Sequence, residues 1–511
     1  FGIPGVHTLE LYRGLPGRNI RHILSRHEQG AGFMADGYAR VTGKPGVCFV
    51  ISGPGLTNIT TPIGQAYSDS IPMLVISSVN ETRSLGKGWG RLHETKNQRA
   101  ITEPLTAFSA TALQINDIPD LIARAFSVFN SERPRPVHIE IPMDILAAPI
   151  DVDWTADVRV QAQRPRAEYA AINAAAKLLG EAQKPLIIAG GGAIGANDDI
   201  AALAETLNAT VFSTVAGKGI LPAQHPLNAG SNLCMPQAWD YIENADVILA
   251  IGTELSDTDK WRDKLPIKGS LIRVDIDPRK LNDLYPATLP ILSDARAFAQ
   301  AVKNALPNKT AGLSPAVAVQ QLKQTIAESQ PELQRKHMAV LDMLKHQLPT
   351  NAIIATDMTQ IAYTGNYYYA VNNTRSWLHP TGYGTLGYGL PAGIGAKIGA
   401  PERVDVVLAG DGGFLYTLQE LATATEELHS PFIVILWNND SLGQIRDDMI
   451  DLDIPPIGVC PKNPDFIKVA AGFGCFTMQP KSWDELSNSL QVALEHQGVS
   501  FIEVHQQYFD L

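Results

Sequence analysis

Two short apolar runs, each ending on polar residues that suit a ligand, constrain this chain most. Val404 to Ala409 is β-branched and apolar and leads directly into Gly410-Asp411-Gly412-Gly413. Phe432 to Trp437 is a second such run and ends on Asn438-Asn439-Asp440-Ser441. Uninterrupted runs of this length read as strands buried on both faces, as in a parallel sheet covered by helices. Between them lies a helical stretch bearing Leu418, Leu421 and Leu428, so the order is strand, helix, strand. Both polar turns then fall at the carboxyl edge of one sheet, where open α/β sheets bind ligands. The glycine turn exposes N–H groups to an anion. A carboxylate, an amide oxygen and a main-chain carbonyl can converge there, and such hard oxygen ligands suit Mg²⁺. The same residues would also serve a plain strand, turn and helix, so the rest of the chain has to decide.

The strand and helix alternation recurs along the chain. From Phe1 to about Ala148, strands are expected at Ile20 to Leu24, Val47 to Ser52, Met73 to Ser78 and His138 to Ile141, with helices over Gln29 to Thr42 and Thr57 to Ser68. A polar, proline-bearing linker is expected over Pro149 to Arg166. A second unit has strands near Leu186 to Ala189, Thr210 to Ser213, Val247 to Ile251 and Leu271 to Ile276, and Pro307 to Ser314 is again linker-like. A third adds Ile353 to Thr356 and Phe501 to Val504 to the two opening strands, with a helix over Ala392 to Ile398. The fold class is therefore α/β, with three doubly wound parallel-sheet domains at 1–155, 167–306 and 315–511. A length of 511 residues accommodates three domains of ordinary size.

A net charge of −11 leaves no basic tract to neutralise phosphates, so nucleic acid is not an expected partner. No apolar run approaches a membrane span, and no membrane partner is expected. Cys48, Cys234, Cys460 and Cys475 are scattered without metal-ligand spacing. They read as buried small hydrophobes in a protein of the reducing cytoplasm. Phe1-Gly2-Ile3-Pro4-Gly5 reads as a strand end and turn without a signal peptide, so a leading helix is expected ahead of it and further residues after Leu511.

Gly-Asp-Gly followed at this distance by Asn-Asn resembles the thiamine diphosphate motif of the acetohydroxyacid synthase, pyruvate decarboxylase and benzoylformate decarboxylase family. The resemblance implies that Asp411 and Asn439 ligate Mg²⁺ by side chains and Ser441 by its carbonyl, while the Gly412 and Gly413 amides face the diphosphate. The step from Asp411 to Asn439 is one residue longer than the family pattern, and the extra residue falls in the turn near His429.

Four further stretches carry the resemblance. Arg26-His27-Glu28-Gln29 follows a strand and enters a helix, and a glutamate beside apolar neighbours at a domain edge suits a proton shuttle. The resemblance makes Glu28 the partner of the cofactor's aminopyrimidine ring nitrogen. Ser52-Gly53-Pro54-Gly55-Leu56-Thr57-Asn58 matches the loop that packs on the pyrimidine, with Pro54 and Asn58 at the corresponding places. Thr381 to Pro391 is glycine-dense, and there Leu386 corresponds to the aliphatic residue that props the cofactor in its bent form, with the Gly384 carbonyl facing the amino group. Thr359 and Gln360 lie in a strand-end loop that resembles one covering the diphosphate. Glu28 and Asp411 lie in different domains, and the resemblance assigns them to different subunits of a homodimer or homotetramer with sites at the subunit interfaces.

The middle domain holds a tempting motif. Gly190-Gly191-Gly192-Ala193-Ile194-Gly195 fits G-x-G-x-x-G, but no acidic residue ends the next strand, Phe212-Ser213-Thr214. The family's FAD-binding arginines are absent from Glu254-Leu255-Ser256-Asp257-Thr258, which argues against FAD. Asp275 and Asp277 read as turn formers.

The resemblance implies attack on a 2-oxo acid and loss of carbon dioxide. Protonation of what remains gives an aldehyde, and addition to a second carbonyl gives an acetohydroxy acid. His7 and His93 are candidate proton donors, with exposed loop histidines as the plain alternative; Ile51 stands where benzoylformate decarboxylases carry histidine. Asp448 stands where the synthases carry a tryptophan that meets the second substrate. With Gln444 and Asp447 it suits a cationic tail, because a carboxylate accepts a guanidinium through two bonds, with a solvated helix face as the plain alternative for Asp447 and Asp448. The run from Trp437 to Phe466 also resembles decarboxylases of 5-guanidino-2-oxopentanoate, the 2-oxo acid of arginine. The expected function is non-oxidative decarboxylation of a 2-oxo acid, with acetolactate synthase and a non-catalytic paralogue as alternatives.

Overall fold

Every described strand pair is parallel, and the strands form three sheets. The structure, a computed structural model, describes residues 1–150, 162–306 and 314–509, and most of both expected linkers lies outside them. The chain divides into two compact units. One comprises Phe1–Ala162, Ala352–Gln360 and Gly382–Asp510; the other comprises Gln163–Asn351 and Ile361–Thr381.

In the first unit, β1 (Gly46–Val50), β2 (Met73–Val79), β3 (Phe108–Thr111) and β4 (Val137–Pro142) form a sheet of order β1-β2-β4-β3. The second unit carries β5 (Pro185–Ala189), β6 (Thr210–Ser213), β7 (Asn228–Gly230), β8 (Val247–Ile251), β9 (Ser270–Asp275) and β10 (Leu289–Leu292) in the order β10-β9-β8-β5-β6-β7. Alternation along these strands fills both faces: Ile187 and Leu249 pack with Phe298 in one core, while Leu186 and Ile248 pack with Leu322 in the other. The glycines of the middle-domain motif serve this packing. A Cβ on Gly190 would lie 2.3 Å from the Gly252 carbonyl oxygen, and one on Gly192 would lie 3.0 Å from the Gly252 Cα. Asp277 is turn-forming as expected, accepting from the Arg279 amide.

The third sheet contributes to the first unit β11 (Ile353–Thr356), then, after the two-residue strand β12 (Trp377–Leu378) of the other unit, β13 (Asp405–Gly410), β14 (Phe432–Asn438), β15 (Phe476–Met478) and β16 (Val499–His505). Within this unit the order is β11-β13-β14-β16-β15.

Several expectations need correction. Ile20 to Leu24 is not a strand: Leu24 makes one isolated bridge to Gly2, Ile20 is 60% exposed, and Arg21 turns to Glu427. The helix expected from Thr57 starts at Pro54 and breaks at Ile59, giving Pro54–Asn58 and Thr60–Asp69. Pro62 causes the break, since it has no N–H for the Asn58 carbonyl. Cys460 is exposed on a loop rather than buried. β3, β7, β10 and β15 carried no clear signal because each is a sheet edge, where an apolar run is not required. Among the described residues no helix is long and apolar enough to cross a membrane.

The helices Glu28–Thr42 and Gly389–Gly399 join the first and third sheets of the first unit. They meet backbone to backbone. A Cβ on Gly37 would lie 2.0 Å from the Ala392 carbonyl oxygen, and one on Gly395 would lie 1.9 Å from that of Met34. Around this contact Arg40 pairs with Asp36 and Asp69 at 2.6 and 2.7 Å, and the Tyr388 hydroxyl donates to Asp36 at 2.6 Å. Gly395→Ala should therefore push the helices apart and cost about 1–3 kcal/mol, read as a lower denaturant midpoint. An unchanged midpoint would show that this contact does not limit stability.

Candidate cofactor and metal site

The glycine turn sits at the carboxyl end of β13, and Asp411 opens the short helix Asp411–Phe414. Gly410 pairs with Trp437 across β13 and β14, so Asp411 and Asn438-Asn439 leave the sheet at the same edge. Each turn glycine is hemmed in. Added Cβ atoms would lie 2.9 Å from Thr359 Oγ1 at Gly410, 2.6 Å from Leu442 Cδ2 at Gly412 and 2.7 Å from Asp357 Oδ1 at Gly413. Asn439 folds back on the loop: its Oδ1 accepts from the Ser441 amide at 3.2 Å, and its Nδ2 donates to Gln360 Oε1 at 3.3 Å. The structure thus brings Thr359, Gln360, Asp411, Gly412, Gly413, Asn439 and Ser441 together.

Two unforeseen residues join them. Asn463 Nδ2 donates to Asp411 Oδ2 at 2.7 Å, to Asp440 Oδ1 at 3.0 Å and to Asn438 Oδ1 at 3.3 Å. Burial pushes the Asp411 carboxyl above its usual range, and the Asn463 bond acts against that shift. The second is Asp357, buried at the end of β11. It accepts from the amides of Met358, Gly387 and Gly389 at 2.8, 3.0 and 3.1 Å, and burial pushes its carboxyl up to about 6. Asp357 therefore fixes the far end of the Gly384 and Leu386 loop. Its near end is held by Asp69, which accepts from the Gly382 amide at 2.7 Å, and by Gln65, which accepts from Thr385 at 2.9 Å. Gly384 and Gly387 have φ of 65° and 80°, which an L side chain resists. Asp357 was visible in sequence as a strand-end acid, whereas nothing local marks Asn463.

Among the described residues no group of three or more His, Cys, Asp or Glu is placed to hold a metal. The expected donor set is of another kind, with one carboxylate, one amide oxygen and one main-chain carbonyl. The Asn463 side chain, whose Nδ2 meets Asp411, has a buried Oδ1 without a partner among the described residues, an acceptor that a hydrated cation would satisfy, so these residues fit Mg²⁺. A cavity of about 440 Å³ opens nearby, lined among others by Asn438, Asp440, Asn463, Glu503 and His505. Its buried acid is already engaged, since Glu503 meets Asn438 Nδ2 at 2.8 Å, His505 Nε2 at 3.0 Å and Gln479 Nε2 at 3.0 Å. Neither Gly412 nor Gly413 lines this cavity.

A second cluster forms at the start of Glu28–Thr42. Glu420 accepts from the amides of Arg26 and His27 at 3.1 and 3.0 Å, and burial pushes its carboxyl up. His27 caps the helix by accepting from the Gln29 amide at 3.1 Å. The Glu28 side chain is turned to the Pro54 loop, where Asn58 Nδ2 donates to its Oε2 at 2.9 Å. Gly55 gives it room, for a Cβ there would lie 3.3 Å from Glu28 Oε1 and 2.7 Å from Ile51 Cγ2. His7 and His93 meet at 3.2 Å between their Nδ1 atoms, and the His93 carbonyl presses on Gly53. His7 is buried, and desolvation followed by the His93 charge lowers its pKa. Glu28, Pro54, Asn58, His7 and His93 are thus neighbours, and an exposed-loop reading does not fit His7. Gln98, not anticipated, holds the loop by accepting from the Gly53 amide at 2.8 Å.

The expected substrate residues lie on the helix Gly443–Asp451, where they have different partners. Asp447 already carries a guanidinium: Arg446 donates to its Oδ1 at 2.9 and 3.0 Å, and Gln360 Nε2 lies 3.2 Å from its Oδ2. Among the described residues the Asp448 side chain receives only the Gln444 side-chain amide, at 2.9 Å, and both side chains face solvent.

Comparison with known proteins covers most of the chain. Residues 1–101 match the family model of the N-terminal TPP binding domain of thiamine pyrophosphate enzymes, 172–302 that of the central domain, and 357–504 that of the C-terminal TPP binding domain. The chain is 60% identical over 505 residues to the probable 2-ketoarginine decarboxylase AruI of Pseudomonas aeruginosa, a match covering 99% of this chain and 90% of that protein. It is 33% identical to the acetolactate synthase large subunit of Corynebacterium glutamicum, over 97% of this chain and 82% of that one. With acetolactate synthase isozyme 1 large subunit of Escherichia coli it shares 32% identity, over 98% and 90% of the two chains.

Asp357 gives the site a pH signature. Its folded-state pKa of about 6 lies above the ordinary 3.8, so between those values the folded chain holds a proton that the unfolded chain has released. Stability must then fall as pH rises through this window and stay lower above it. Asp357→Asn should flatten that decline in denaturant midpoints measured from about pH 4 to 7. A variant profile parallel to wild type would show that this carboxyl does not carry the burial penalty.

Proposed function

The chain belongs to the thiamine pyrophosphate enzymes, and from that membership we propose that it decarboxylates 5-guanidino-2-oxopentanoate (2-ketoarginine) non-oxidatively, to the aldehyde and carbon dioxide. The observation that carries this reading is the 60% identity, spread over nearly the whole chain, to a probable 2-ketoarginine decarboxylase.

Bound thiamine diphosphate would supply a carbon nucleophile that adds to the substrate carbonyl and takes up the electrons released as carbon dioxide leaves. The chain's own residues do the rest. Glu28 holds a proton at the aminopyrimidine ring, and Asn58 orients it by occupying Oε2. Pro54, Gly384 and Leu386 shape the bed of the ring system. Asp411, Asn439 and the Ser441 carbonyl would hold Mg²⁺, with the Gly412 and Gly413 amides, Thr359 and Gln360 around the diphosphate. His7 and His93 deliver the proton that completes the aldehyde, replacing the lost carboxylate.

Asp448 is the receptor for the substrate guanidinium, with Gln444 beside it. Asp447 supports that site indirectly, because its carboxylate is engaged by Arg446. We assign no FAD to the middle domain, whose segment Glu254 to Thr258 lacks the arginines that would hold it. Glu28 of one copy and Asp411 of another would hold the cofactor between them, so a homodimer is the smallest active unit; a fully active monomer in sedimentation would refute this.

The second reading is acetolactate synthesis, favoured by relatives about one-third identical over most of the chain. A panel of cationic and apolar 2-oxo acids, assayed with thiamine diphosphate and Mg²⁺ for carbon dioxide and product, separates the two. We expect kcat/KM for 2-ketoarginine to exceed that for pyruvate by at least about 100-fold. Asp448→Asn should raise KM for 2-ketoarginine roughly tenfold, about 1.4 kcal/mol. Acetolactate formation from pyruvate without turnover of 2-ketoarginine would assign the synthase instead, and turnover of neither would favour a non-catalytic paralogue.

A further inference from the structure

We propose that Asn463 is a positioning residue for the divalent cation, fixing one oxygen of Asp411 so that the other faces the ion, and offering its own carbonyl oxygen to a water that the ion carries. The inference rests on the reading of Asp411, Asn439 and Ser441 as the Mg²⁺ site.

The orientation of the Asn463 amide follows from its neighbours. Three oxygens surround Nδ2: Asp411 Oδ2 at 2.7 Å, Asp440 Oδ1 at 3.0 Å and Asn438 Oδ1 at 3.3 Å. The reversed amide would set Oδ1 against two carboxylates, so the nitrogen belongs there. That leaves Oδ1 on the other side, buried and without a partner among the described residues. A buried acceptor in that state is unfavourable, so retaining it calls for a donor. Diphosphate oxygens are acceptors and cannot serve. Water bound to a divalent cation has strongly polarised O–H groups and is such a donor.

The bond to Asp411 has a second consequence. A free carboxylate can turn both oxygens to a cation or swing away from it. Here Oδ2 is committed to the shortest of the three Asn463 bonds, which leaves Oδ1 for the ion. Mg²⁺ demands near-octahedral geometry and tolerates little misplacement of a ligand, so such an orienting partner matters more for it than for a permissive cation. Partners of this kind typically change metal affinity by about 10- to 100-fold when removed. Asn463 lies far from Asp411 in sequence and reaches it from the loop before the helix Phe466–Gly472.

The test uses Mn²⁺ as the probe ion with saturating thiamine diphosphate, its affinity read by electron paramagnetic resonance and its bound water by proton relaxation. Asn463→Leu keeps the branched shape but neither donates nor accepts, and Asn463→Ala removes the group if the bulkier leucine disturbs folding. Both should weaken Mn²⁺ binding about 10- to 100-fold while the ion-free protein melts within a few degrees of wild type. Mn²⁺ affinities within twofold of wild type would overturn the proposal, as would a lower melting temperature with unchanged affinity, which marks a merely structural crosslink. Wild type that binds no Mn²⁺ with the cofactor would overturn the metal reading itself, a result distinct from equal binding by wild type and variants.

Discussion

The backbone contact between Glu28–Thr42 and Gly389–Gly399 underlies the arrangement of the first unit. Gly37 and Gly395 let the two helix backbones approach to a distance that any side chain would forbid. Each helix also begins at a chemical cluster. One opens with Glu28, whose preceding amides are held by Glu420, and the other opens at Gly389, whose amide is held by Asp357. The same two helices therefore carry the packing and aim the groups proposed for catalysis. Substituting a larger residue at either glycine would disturb both.

Buried carboxylates recur as organisers of loops in this unit. Asp357 gathers three backbone amides, Glu420 gathers two, and Asp69 takes the Gly382 amide as well as Arg40. A carboxylate has about four acceptor sites and no donor, so it can tie several N–H groups of an irregular loop to one point. Burial works against each, as the raised pKa values of Asp357 and Glu420 record. The bonds offset that cost only while the loop keeps its shape, which links the conformation around Leu386 to the protonation of Asp357.

Much of this was legible in the chain. The central strands are continuous apolar runs because both faces are covered, and Val247 to Ile251 was placed to the residue. Edge strands such as Phe476–Met478 escaped, since a strand with one neighbour needs no such run. Ile20 to Leu24 misled because an apolar residue at each end resembled a strand, although the segment's strand pairing among the described residues is a single bridge from Leu24 to Gly2. Glu28 meets Asn58, and His7 meets His93, around the Pro54 loop. Asn463 and Gln98 were not expected, because each acts through a tertiary contact that no local spacing announces. Asp447 shows a further limit: its sequence offers a carboxylate, but the neighbouring Arg446 has already taken it.

The proposed chemistry requires Glu28 to act on a cofactor that the Asp411 turn holds. The rate at which the C2 proton of bound thiamine diphosphate exchanges with deuterium, quenched and read by NMR, addresses that requirement without any substrate. Wild type with Mg²⁺ should accelerate exchange over free cofactor by at least about 10²- to 10⁴-fold, and Glu28→Gln should lose that acceleration while still binding the cofactor. Exchange in Glu28→Gln as fast as in wild type would contradict the role given to Glu28.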